Sequence, residues 1–149
     1  MGYSLQTFVG KYDDLEILIE SYDSAAIKRL EQDLCLILLT EDLFNQINKH
    51  ISSNSIKSFE YLTENLEREI LKTIKGKMIA YMEADYFGGQ GGQSGVIWKN
   101  GKRISYLEND DNAINSILKT FGVISIKGKD EFDTLEFGLL KSDRSWESY

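Results

Sequence analysis

The chain has 149 residues, 42% of them hydrophobic, which suits one domain with a core of its own. Seventeen basic against 24 acidic side chains leave a formal net charge of -7, a balance that repels phosphate backbones and argues against a general nucleic-acid binder. A single cysteine, Cys35, excludes an intrachain disulfide and a multi-cysteine zinc site.

The pattern predicts one α+β domain over residues 1–149, with a helical N-terminal part packed on a mainly antiparallel sheet from the C-terminal half. Tyr3 to Val9 alternates as a strand. Asp13 or Asp14 then caps a short helix carrying Leu15, Leu18 and Ile19. Asp23 and Ser24 precede Ile27, Leu30, Leu34, Ile37 and Leu38, whose three-and-four spacing predicts a second amphipathic helix, with Cys35 as a packing residue. Thr40 opens a further helical stretch through Leu43, Phe44, Ile47 and Ile51, and Ser52 to Ser55 breaks it. A long helix is expected from Ile56 through Phe59, Leu62, Leu66, Ile70 and Ile74 to a stop at Gly76.

From Lys77 the period changes to two. Met78 to Phe87 has apolar groups on both faces, the mark of a central strand. A glycine-rich segment, Gly88-Gly89-Gln90-Gly91-Gly92-Gln93, turns the chain into Gly95 to Lys99, and Asn100-Gly101 signals a hairpin into Arg103 to Leu107. Asp110 or Asp111 caps a helix with Ala113, Ile114, Ile117, Leu118 and Phe121 on one stripe, ending at Gly122. Val123 to Ile126 and Phe132 to Leu139 are expected as strands or extended segments.

The four glycines in six residues let backbone N–H groups approach a ligand or partner closely. Three nucleotide or nucleophile motifs fail there. A dinucleotide fingerprint started at Gly89 meets Ser94 at its sixth place, a P-loop lacks its lysine, and a serine elbow at Ser94 lacks its second glycine. Gly-Gly-Gln, present twice, is similar to the tip of translation release factors over three residues, but a ribosome ligand needs a basic surface. Glu83 and Asp85 share one face of the preceding strand, where a partly buried pair can do acid/base work or meet a cation. The candidate binding set is therefore Glu83, Asp85, Tyr86, Phe87, Gln90, Gln93 and Trp98, with no catalytic residue assigned. The lone His50, near a helix end, reads as a capping cation, and neither a metal nor a cofactor is expected.

Met1-Gly2-Tyr3-Ser4-Leu5, Ala80-Tyr81-Met82-Glu83-Ala84-Asp85-Tyr86-Phe87-Gly88-Gly89 with Gln93, Val96-Ile97-Trp98, Ala113-Ile114-Asn115 and Asp130-Glu131-Phe132-Asp133 together resemble a group of small bacterial proteins with a Tyr-Phe-Gly-Gly-x-Gly-x-Gln loop. The resemblance covers mainly residues 77 to 138 and implies kinship with immunity proteins of bacterial toxin systems, without an established active site. The leading expectation is a non-enzymatic protein-binding domain that meets a basic partner, such as a toxin, through an acidic surface. The alternatives are a small-ligand-binding or hydrolase-like protein using the glycine loop with Glu83 and Asp85, and a homodimeric assembly module. Without a leader pattern or an apolar run near the roughly 20 residues that span a bilayer, a cytoplasmic, membrane-free setting is expected.

Overall fold

A computed structural model describes residues 3–87, 90–108 and 110–135, the side chains of Tyr3, Phe87, Gln90 and Asp133 excepted. The elements run β1 (Tyr3–Lys11), α1 (Tyr12–Ser21), β2 (Ile27–Arg29), β3 (Leu34–Leu38), α2 (Glu41–Asn48) and α3 (Glu64–Ile74). They continue as β4 (Ile79–Phe87), β5 (Gln90–Lys99), β6 (Lys102–Leu107), α4 (Ala113–Thr120) and α5 (Glu131–Thr134). The strands form one antiparallel sheet in the order β2-β3-β1-β4-β5-β6, so the fold is mixed α+β.

Both faces of the sheet are covered. Phe8, Ile37, Ile79, Tyr81, Val96 and Trp98 pack against Leu15 and Leu18 of α1, Leu43 and Ile47 of α2, and Leu66, Ile70 and Ile74 of α3. On the other face Leu5, Val9, Leu36, Ala80, Met82 and Ile97 pack against Ile114, Ile117 and Leu118 of α4, with Leu135 beyond α5. This explains why β1 and β4, at the middle of the sheet, carry apolar residues on alternate and intervening positions alike.

The expected division into a helical N-terminal part and a C-terminal sheet needs correction, because β1, β2 and β3 all come from the first 40 residues. The predicted helix from Ile27 to Leu38 is the β2–β3 hairpin. Its turn passes through Gln32 and Asp33 with φ of 60° and 62°, a left-handed conformation that ends any helix there. Leu34–Leu38 is buried at four of its five positions, and a short continuous apolar run satisfies a buried strand and one stripe of a helix equally.

The long helix expected from Ile56 starts eight residues later. Thr63 is its N-cap, with the side-chain oxygen accepting from Leu66 N–H at 3.1 Å, while Ile56, Phe59 and Leu62 are buried from a loop. The helical stretch expected from Thr40 is α2, with Thr40 as its N-cap accepting from Leu43 N–H at 3.2 Å, but it ends at Asn48 and leaves Ile51 exposed beyond it. Helix α1 begins after Lys11 without a side-chain cap, so neither Asp13 nor Asp14 has that role. Residues 123–126 are not a strand, and Glu131–Thr134 is a helical turn; residues 136–139 lie outside the described residues. The Asn100-Gly101 hairpin holds, with φ of 53° and 79° at its two turn residues, as a turn matched to the twist of its strands requires.

Candidate functional site

Strand register decides what the candidate residues can do together. Glu83 of β4 stands between Gln6 of β1 and Ser94 of β5, and Asp85 stands between Ser4 and Gly92. These positions project to the face that carries Phe8, Tyr81 and Trp98, so an apolar layer gives way to a polar end beside the glycine-rich hairpin. Tyr86 and Gln93 project to the opposite face. The candidate set is thus split across the sheet.

At the polar end lies a cleft of about 280 Å³ lined by Ser58, Glu60, Glu83, Asp85, Gly91, Gly92 and Ser94. Its wall is the 58–62 loop, and Glu83 holds that loop in place. One carboxylate oxygen accepts from Glu60 N–H at 2.6 Å; the other accepts from Tyr61 N–H at 2.8 Å, Leu62 N–H at 3.0 Å and the Tyr81 hydroxyl at 2.8 Å. Three successive N–H groups of an irregular segment would otherwise be costly to bury, and a two-oxygen acceptor on a neighbouring strand satisfies all of them. The hydroxyls of Ser58 and Ser94, 2.9 Å apart, make a second tie between loop and sheet.

Burial pushes the Glu83 carboxyl above the ordinary carboxylate range, against the pull of its four donors. Burial and the adjacent Glu83 charge push the Tyr81 hydroxyl well above its ordinary value, which keeps it a donor. Glu83 is 8% exposed, whereas Glu60 and Asp85 are exposed at the rim. The floor carboxylate is therefore shut in by its four donors, and the two rim carboxylates are accessible to solvent.

Gly91 explains part of the glycine run. Its φ is 142°, and a Cβ there would fall on the backbone carbonyl of Asp85 across the β4–β5 pair. A side chain at this position is incompatible with the pairing that brings Asp85 to the cleft.

Gln93 has a different task. Its side-chain oxygen accepts from Ile114 N–H at 2.9 Å and its backbone carbonyl from Asp110 N–H at 2.9 Å, so it caps α4 from a neighbouring strand. Tyr86 packs beside the core of that same face. Trp98 is wholly buried under α3, with its indole N–H donating to Glu67 at 2.8 Å, so it fills the core and offers no surface to a partner. The side chains of Phe87 and Gln90 lie outside those described.

Sequence reasoning missed the partners that make these roles. Glu67 receives Trp98 and a two-pronged contact from Arg103, at 2.6 and 2.7 Å. Burial raises the Glu67 carboxyl, but the hydrogen bonds from Arg103 and Trp98 and the Arg103 charge outweigh it and hold Glu67 below the usual range. The signal for the α3 start was present in Thr63 followed by Glu64 and Glu67, an N-cap with an acidic first turn. Nothing in the local sequence of residues 58–62 announces a loop tied to a strand 21 to 23 positions away.

Cys35 lies in β3 inside the core, where burial pushes its thiol up, a setting for packing. His50 follows α2 with φ of 59°, its backbone N–H bound to Asn45 O at 3.2 Å. Among the described residues no group of three His, Cys, Asp or Glu side chains is placed to hold a metal ion, and no helix is long and apolar enough to cross a membrane. No family model matches the chain, and neither a curated protein nor a solved structure does. The site has to be read from its own chemistry.

Proposed function

We propose that this domain is a non-enzymatic protein-binding module that receives a basic segment of a partner protein at the rim of the Glu60–Asp85 cleft. The small bacterial proteins with a Tyr-Phe-Gly-Gly-x-Gly-x-Gln loop that residues 77 to 138 resemble, and the kinship with immunity proteins which that resemblance implies, suggest the model for such a role. The observation that carries the reading is the division of labour among three neighbouring carboxylates. Glu83 is consumed in building the wall, and Glu60 and Asp85 are exposed beside it on a chain of net charge -7. Acidic side chains on a fixed wall attract a lysine- or arginine-bearing surface over a Debye length and orient its docking.

The hydrolase-like alternative asks Glu83 to act as a general base. Its four donors tie both oxygens to the loop and to Tyr81, three of them on one oxygen, so proton abstraction would compete with the contacts that hold the loop and the geometry favours that reading less. The test is to co-express the chain with the product of the adjacent gene and to measure binding of the purified pair by calorimetry. Binding that weakens by about tenfold or more in Glu60→Lys/Asp85→Lys and falls with added salt is the expected result. Absence of binding together with absence of protection in the co-expressing cell would overturn the proposal.

A further inference from the structure

The opposite face of the sheet carries a second cavity, of about 400 Å³, between β4, β5 and the start of α4. Its size falls within the range of small-molecule sites, roughly 300 to 1,000 Å³. Tyr86 and Phe132 contribute aromatic rings, Ile114 an apolar wall, and Asp111 and Asp130 carboxylates; none of the described residues lining it is cationic.

The frame is fixed from several sides. Gln93 ties β5 to the start of α4, as described above. Asn115 donates to Asp130 at 3.1 Å and accepts from Phe132 N–H at 2.8 Å, which holds the segment before α5 against the helix. A helix start ordinarily favours an anion, but here three of the N–H groups at that start are already engaged. The N–H groups of Asn112, Ala113 and Ile114 go to the Asp110 side chain, the Asp110 carbonyl and Gln93, at 2.7, 3.1 and 2.9 Å. The charged groups lining the cavity are the carboxylates of Asp111 and Asp130, the second also an acceptor for Asn115, and they stand with the rings of Tyr86 and Phe132. Carboxylates pair with a guanidinium or ammonium group, and aromatic faces attract the same cation.

We infer that this cavity is a binding site for a small organic cation, an amine or guanidinium carried on a short aliphatic stem. It lies on the face away from the Glu60–Asp85 cleft and does not depend on the protein-binding reading. The stem packs on Ile114 and Phe132, and the charged head meets Asp111 and Asp130.

Titration of the ¹⁵N-labelled protein with agmatine, with N-acetylarginine amide and with inorganic phosphate tests the site by amide shift changes. The expected result is saturable shifts at Tyr86, Gln93, Ile114 and Phe132 with the cations and none with phosphate. Affinity should fall about tenfold in Asp111→Asn/Asp130→Asn and about threefold in Asp111→Asn alone, an exposed position whose replacement leaves the frame intact. Agmatine binding alone would identify a free small cation; equal binding of the arginine amide would identify a side chain presented by another molecule. Glu60→Lys/Asp85→Lys should leave these shifts unchanged, so this site and the cleft can fail separately. Phosphate shifting the same amides, cation affinity unaltered by the substitutions, or no shift with millimolar cation would each overturn the inference.

Discussion

Glu67 and Glu83 are carboxylates on the same side of the sheet, one on α3 and one on β4 under the 58–62 loop, and they are held by opposite means. Glu67 lies near the β6 edge of the sheet and faces a guanidinium, so its charge is matched and its carboxyl is held below the ordinary range despite burial. Glu83 lies on the central strand β4 and faces three peptide N–H groups and a phenol, all neutral, and burial prevails in raising it. Glu83 is the more deeply buried of the two, whereas the half-buried Glu67 accepts from a guanidinium and an indole and has the guanidinium charge beside it. The first arrangement fastens a helix to a hairpin. The second shapes a loop into the wall of a cleft.

The largest consequence follows from removing Glu83. Glu83→Ala strands three backbone donors and the Tyr81 hydroxyl, and should cost about 4 kcal/mol by urea denaturation, in the range for breaking a buried polar network. Gly91→Ala attacks the same region from the backbone side. Its positive φ and the collision with the Asp85 carbonyl predict a loss of about 3 kcal/mol, with β4–β5 amides near Asp85 and Gly92 losing protection first.

Glu67→Gln should cost less, about 1 to 2 kcal/mol, because Arg103 is 37% exposed and solvent screens the pair. The two carboxylates should also differ in sign with pH. A lowered Glu67 stabilises fully above its ordinary value near 4.5, and the contribution is lost as pH falls through its folded value. The gap between wild type and Glu67→Gln should therefore close in acid. A raised Glu83 binds its proton more tightly in the fold, so stability is greatest below the ordinary range and declines as pH rises through the raised one. The gap between wild type and Glu83→Gln should shrink from acid toward neutral pH. Parallel pH profiles for the two variants would contradict the contrast.

How much of this was legible in the sequence follows from the range of each interaction. Caps and turns act over three or four residues, so Thr40 and the Asn100-Gly101 turn were readable. The β4 alternation and the α4 stripe were readable for the same reason. Leu34–Leu38 was not, because continuous apolarity carries no period, and the deciding turn at Gln32 and Asp33 lacks glycine. Ile56, Phe59 and Leu62 match a helical stripe by spacing and are buried as expected, yet the backbone between them is fixed by a carboxylate from β4. The pairing of Glu83 with Asp85 on one face was legible; their division into floor and rim was not, since it depends on that distant loop.

The smallest structural effect belongs to the rim. Glu60→Gln with Asp85→Asn should change stability by no more than about 0.5 kcal/mol, as exposed substitutions do, while weakening partner binding. A large stability loss would move the rim into the structural half of the comparison.

The central claim is that Glu83 builds the cleft rather than reacts in it. Amide hydrogen exchange at Glu60, Tyr61 and Leu62, in wild type and in Glu83→Gln, measures this directly. The account predicts slow exchange at all three in the wild type and a selective acceleration in the variant, larger than at Ile70 and Ile74 of α3. Exchange as fast as an open loop in the wild type, or rates unchanged by the substitution, would contradict it.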